Sequence, residues 1–291
     1  MKKFLPLLAV LLCACGQKPA EAPKISIFCD HIWTVARQEG ISFREAATKI
    51  REIGYDGADV RVLQNPDELR ILDSLGFGHA CAIADIDYGA GEQPEMEAQA
   101  ITFLETYGYD RLLLVTGLMP EGSTLEERDA ARQRIAAFAK RVSDKGFCIM
   151  VEDFDNPRSL CYNMAGLDSL FNLAPSLGHV FDTGNYLFAG DDALVAYDKF
   201  QRLIGHVHLK DRVAPDDMHC VPAGSGCIPI ADIVHKLVDA GYRGRGPPGH
   251  AGAPPAPSRD AAARRTMSIE PIELDFTVTA SGNPAPTFSV A

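Results

Sequence analysis

The apolar positions of the chain change period again and again between residues 24 and 244. KISIFC at 24–29 is a short apolar run with β-branched residues, which predicts a strand. Phe43, Ala46, Ala47, Ile50 and Ile53 then recur at helical spacing. Ser42 followed by Glu45 makes a capping box for that helix, and Gly54 stops it. GADVRV at 57–62 reads as the next strand. PDELRILDSLG at 66–76 reads as a helix that opens on Pro66 and ends at Gly76. HACAIADI at 79–86, a helix around 96–107 and the apolar run RLLLVTGL at 111–118 continue the alternation. Thr124 and Glu127 cap a long helix with Ala131, Ile135, Phe138 and Val142 on one face. FCIMVEDF at 147–154, HVFDTGN at 179–185 and HVHLKD at 206–211 are three further strands.

Seven strands, each followed by a helical segment, predict an α/β fold with a parallel sheet. RLLLV and FCIMV are apolar on both faces, as strands covered on both sides must be. No glycine-rich phosphate fingerprint follows the first strand, which argues against a dinucleotide-binding sheet. A (β/α)8 TIM barrel of about 250 residues fits the length. Its eighth strand should start just after GYRG at 241–244, and there the pattern stops. Residues 245–265 hold six Ala, five Pro, four Arg and three Gly. Two prolines at 247 and 248 cannot sit inside a central strand. The SIE at 268–270 could supply the strand only across an insertion of about 25 residues, and structureless loops of that length are uncommon in compact domains. The four residue types share GC-rich codons, so 245–291 is expected to be an aberrant tail produced by a slip of reading frame. The eighth unit is then atypical or missing, with a gap beside strand one. Residues 245–265 are expected to be coil. IELDFTVT at 272–279 could lie weakly in the gap, with Glu270 or Glu273 nearby.

The N-terminus adds a location. Lys2 and Lys3 precede an apolar run from Phe4 to Leu12, far short of the ~20 residues that span a bilayer. LCAC at 12–15 resembles a bacterial lipobox, which implies lipidation at Cys15, with 1–15 as signal peptide, 16–24 as a polar tether and 25–244 as the barrel. Gly16 in place of Asp points to the outer membrane, facing the periplasm of the cell envelope. The expected membrane contact is the lipid anchor alone. Six further cysteines remain, at 29, 81, 148, 161, 220 and 227; export permits disulfides, and Cys220 with Cys227 could bridge a loop. The net charge of −11 argues against a nucleic acid partner.

The chemistry lies at strand ends, because barrels build their sites on the carboxyl rim. Glu152, Asp182 and His208 fall about one strand–helix unit apart, at equivalent ends of three successive strands. Two carboxylates and one imidazole suit a divalent metal such as Mn, Mg or Zn. A single acid at a strand end is more often a cap or a solvated loop residue; the alignment of three outweighs that reading. His206 shares the face of His208 but lies deeper, where a histidine is usually a core residue satisfied by its neighbours. Lys210 continues the same face and is either a substrate contact or solvated.

GYDGADVR, VEDF, VFDTGN, HVHLKD and the VPAGSGCI loop together resemble the xylose-isomerase-like barrel superfamily of sugar isomerases and epimerases, over about residues 24–244. The resemblance implies that Glu152, Asp182 and His208 are three of four metal ligands, that Glu152 also acts as acid/base, and that a second Glu ends strand eight. It places Asn185, Lys210 and His206 beside a small sugar or sugar derivative. Asn185 stands where a His is common, and Ser225 stands in a loop that often reads Gly-Glu-Gly. The implied reaction moves a proton next to a sugar carbonyl, impaired if the last Glu is absent. A carbohydrate-binding lipoprotein without catalysis, a keto-sugar lyase or hydrolase, and an endonuclease IV-like repair enzyme remain alternatives. Acidity, export and the short ligand set weigh against the last.

Overall fold

Seven parallel strands follow one another around an arc: β1 (Lys24–Phe28), β2 (Gly57–Arg61), β3 (Gly78–Asp85), β4 (Arg111–Val115), β5 (Cys148–Glu152), β6 (Leu177–Asp182) and β7 (Ile204–Leu209). This computed structural model describes residues 24–240, 242 and 266–269. Among the described residues, eight α-helices connect and cover the strands: α1 (Cys29–Glu39), α2 (Phe43–Glu52), α3 (Pro66–Ser74), α4 (Pro94–Tyr107), α5 (Leu125–Asp144), α6 (Met164–Leu173), α7 (Ala193–Phe200) and α8 (Ile230–Asp239). A hairpin of β8 (Asp211–Ala214) and β9 (Asp217–Val221) stands between β7 and α8.

The arc closes into a barrel through a short eighth parallel strand, β10 (Thr266–Ile269), which pairs with both β1 and β7. The gap expected beside strand one is therefore filled, and by the segment that the sequence reading disfavoured. Ser268 stands opposite Ser26 on one side and opposite His208 on the other. The physical reason is plain. The edges of β1 and β7 carry rows of backbone donors and acceptors that must be paired. Thr-Met-Ser-Ile has no proline and can accept that ladder, whereas Pro247 and Pro248 cannot. The eighth unit is still atypical, since its strand has four residues and follows the Pro/Gly-rich stretch. The coil expected over 245–265, the strand-like segment 272–279 and residues Glu270 and Glu273 lie outside the described residues. So do the signal peptide, the tether and Cys15. Among the described residues, no helix is long and apolar enough to cross a membrane.

Local signals explain most elements. Ser42–Glu45 and Thr124–Glu127 form complete capping boxes on α2 and α5. Asn65 caps α3, with Pro66 in its first turn. Strand parity then divides the apolar residues into two layers. Leu112, Leu114, Ile149 and Val151 face the helices, while Leu113, Met150, Cys81, Ile83 and Val180 fill the barrel interior. Gly205 belongs to this interior packing: a Cβ there would come within 2.6 Å of Met150 Sδ.

Two elements were not anticipated. Helix α1 carries Ile32, Val35 and Ala36 toward the core, but its N-cap is Phe28, with no side-chain cap. The β8–β9 hairpin is the other. Arg212 pairs with Cys220 across that hairpin and gives its carbonyl to the Cys227 N–H at 2.8 Å. All six cysteines from Cys29 onward are free thiols, so the bridge considered between Cys220 and Cys227 is not formed.

Candidate active site

Glu152 and Asp182 close β5 and β6, and His208 is the penultimate residue of β7. The strand register and inward parity bring the three side chains together at the carboxyl rim. One potential ligand atom from each lies within 4.8 Å of the others. Asp182 and His208 are buried, and Glu152 is half-buried. His208 Nδ1 contacts Glu152 Oε1 directly, while its Nε2 has no hydrogen-bond partner among the described residues. Burial alone would pull the His208 imidazole down, but the adjoining Glu152 carboxylate overrides it and carries the group up to about 9. Burial pushes Glu152 up, against the opposing pull of His208, and the charge of Asp182 adds to the rise.

Asp182 is held by its own turn. Its Oδ1 accepts the Gly184 N–H at 2.8 Å and the Asn185 N–H at 3.0 Å. That leaves Oδ2 pointing at the site, 2.7 Å from Lys210 Nζ. Asp153 alternates away from the rim, is fully buried, and accepts the Asp182 N–H at 3.0 Å. Burial, then the charges of Asp182 and Glu152, hold Asp153 well above the usual carboxylate range. Its role in this geometry is to fix the end of β6.

The remaining expected site residues divide. Lys210 reaches the site through Asp182 and also donates to Asn185 Oδ1 at 3.3 Å. Asn185 is buried, and both ends of its amide are committed. Nδ2 donates to the Asp153 carbonyl at 3.0 Å, and Oδ1 also accepts from Arg212 Nη2 at 3.3 Å. His206 is fully buried one layer down, with Nε2 3.3 Å from Asp59 Oδ2 and Nδ1 without a hydrogen-bond partner among the described residues.

Other residues were not anticipated. Asp59 on β2 is buried and accepts from Ser26 Oγ. Phe28 sets its ring edge-on to His208, with centroids 4.7 Å apart. Arg61 at the end of β2 pairs with Asp30 and Asp85 on the rim. Parity could have found Asp59, because an acid on the inward face of GADVR has no solvent to face. Asp211 organises the wall above β7. Its two oxygens accept the backbone N–H groups of Arg212, Gly224, Gly226 and Ile228 at 2.9–3.0 Å.

The conserved pattern described as the xylose isomerase-like TIM barrel matches residues 47–246. The chain belongs to that family. A Streptomyces coelicolor protein assigned as a hydroxypyruvate isomerase is 25% identical over 194 residues, which cover 60% of this chain; the match spans 66% of that relative, just under two thirds of its length. Solved structures share the fold, two of them as follows. A Bacillus anthracis protein assigned as a 3-DHS dehydratase of petrobactin synthesis superposes with a TM-score of 0.64 at 16% identity, covering 85% of this chain and 92% of its own. An L-ribulose 3-epimerase gives 0.62 at 16% identity, covering 87% of this chain and 82% of its own.

Proposed function

We propose that the chain is a metal-assisted sugar isomerase or epimerase, moving a proton at the carbon next to the carbonyl of a small sugar or sugar derivative. The observation that carries this reading is the meeting of Glu152, Asp182 and His208 at one point of the rim. The donor set fits a divalent cation: two carboxylates, an imidazole, and an Asp182 oxygen left aimed at the site. Mn, Mg or Zn is the expected cofactor. When bound, the ion polarises a carbonyl and stabilises the negative charge that develops on deprotonation. Support for a sugar isomerase comes from the family and from the assigned isomerase and epimerase among the similar proteins.

Within this reading Glu152 takes the proton from carbon. Burial raises the affinity of its carboxylate for a proton. Asp182 is a fixed ligand, because two backbone N–H groups orient it. Lys210, whose ammonium stands beside Asp182 and Asn185 at the rim, would hold a substrate oxygen. Asn185 acts one step back, as the residue that aligns Lys210 and Arg212. A second carboxylate returns the proton. Glu270 follows β10 directly in the sequence and is the natural candidate, although it lies outside the described residues.

Metal affinity tests the ligand set. Asp182→Ala should weaken Mn(II) binding much more than Asp153→Ala, provided both variants fold. Equal losses, or binding untouched by Asp182→Ala, would remove this ligand set.

A further inference from the structure

One layer below the rim, Asp59 of β2 and His206 of β7 approach His208 from the barrel interior. Ligand-type atoms of the three residues lie within 4.8 Å of one another, and all three residues are buried. Ser26 on β1 donates to Asp59 at 3.1 and 3.3 Å, and His206 Nε2 stands 3.3 Å from Asp59 Oδ2. The carboxylate is thereby held in place by neighbours on two other strands. His208, for its part, gives Nδ1 to Glu152 and leaves Nε2 buried without a hydrogen-bond partner among the described residues.

A histidine that ligates through one nitrogen must keep its proton on the other, and a buried N–H seeks an acceptor. We propose that Asp59 is a positioning residue: it receives the Nε2 proton of His208, fixing the tautomer that presents the Nδ1 lone pair to the cation. This inference rests on the metal-binding reading above. Asp59 touches neither the cation nor the sugar in this role. It acts through His208, and Ser26 and His206 act through Asp59. The interior of the barrel then serves the rim, and the polar cluster in an otherwise apolar layer has a reason to be there.

Two readouts on the full-length chain test this. The first is the dissociation constant for Mn(II) alone, from the electron paramagnetic resonance signal of the free ion. Asp59→Asn, which keeps size but loses charge, should weaken binding about 10–100-fold, as loss of an outer partner of a ligating histidine does elsewhere. Asp59→Glu should recover part of that loss, and Ser26→Ala should cost less than Asp59→Asn. The second readout needs no variant. In wild-type chain labelled with ¹⁵N-histidine and loaded with Zn(II), His208 should show a metal-bound Nδ1 and a protonated Nε2. A metal-bound Nε2, or a folded Asp59→Asn chain that binds Mn(II) within threefold of wild type, would overturn the role of Asp59 while leaving the metal site intact. A wild-type chain that binds neither ion would instead overturn the metal reading, and the role of Asp59 with it.

Discussion

Glu152 Oε1 and His208 Nδ1 touch across the whole width of β6, since β5 and β7 are not neighbours in the sheet. Only inward-pointing side chains at the same height of a closed barrel can do this. The contact therefore depends on the register that places Glu152 beside Val180 and Asp182 beside His208. A slip of one residue in β6 would turn Asp182 out of the barrel and Phe181 into it.

The wall above β7 hangs on Asp211, whose carboxylate accepts four backbone N–H groups. Asp211→Ala should cost about 3 kcal/mol, because buried donors lose their acceptor. Gly226→Ala should also destabilise this wall, by about 1–3 kcal/mol. A Cβ at Gly226 would lie 2.1 Å from the Arg212 carbonyl, and backbone cannot swing aside as a flexible side chain could. Urea unfolding gives the magnitudes, and hydrogen exchange at residues 224–228 should speed up in both variants. Unchanged exchange there would show that the loop is held by something else.

A second prediction concerns pH. His179 is buried and neutral, with Nδ1 3.0 Å from the Val151 carbonyl and Nε2 accepting from the Tyr186 hydroxyl at 2.8 Å. Burial holds this imidazole down at about 4, against 6.5 for a free side chain. The unfolded chain thus binds more protons in that window. The stabilisation is fully present above pH 6.5 and is lost as pH falls toward 4. The loss amounts to roughly 3 kcal/mol if the whole shift is realised. A His179→Gln chain should be less stable at neutral pH, yet its stability should fall less steeply between pH 6.5 and 4. Parallel slopes for the two chains would refute the assignment.

The third prediction addresses the C-terminal segment. If β10 closes the barrel, a chain ending after Gly244 exposes the paired edges of β1 and β7. It should melt at lower temperature and self-associate. A truncated chain with the same melting temperature and a monomeric profile would mean that β10 contributes nothing to the closed sheet.

These cases mark what could be read in the sequence. Glu152, Asp182 and His208 were legible because strand–helix units repeat at near-constant length, so equivalent strand ends can be aligned by counting. The shared face of His206 and His208 followed from alternation, and their different depth from their order along β7. Helix α1 was hidden by its missing side-chain cap and by its start directly after β1. Strand β10 was hidden by the Pro/Gly-rich stretch before it, since local pattern cannot show that a vacant slot between β1 and β7 will recruit a strand from beyond such a stretch. The partners of Asp59 were hidden because Ser26 and His206 lie 33 and 147 residues away in the chain. The bonds of Asn185 were likewise invisible, because its partners Asp153, Lys210 and Arg212 lie 32, 25 and 27 residues away in the chain.

The most direct measurement is deuterium uptake from heavy water into a panel of ketoses and hydroxypyruvate, with Mn(II) supplied. Wild-type chain should incorporate deuterium at the carbon next to the carbonyl of at least one compound, and a chelator should stop the uptake. Glu152→Gln should slow it by about 10²–10⁴-fold, the usual contribution of a general base. Uptake by Glu152→Gln at the wild-type rate, or an isomerised product that carries no solvent deuterium, would contradict proton transfer by Glu152 at this site.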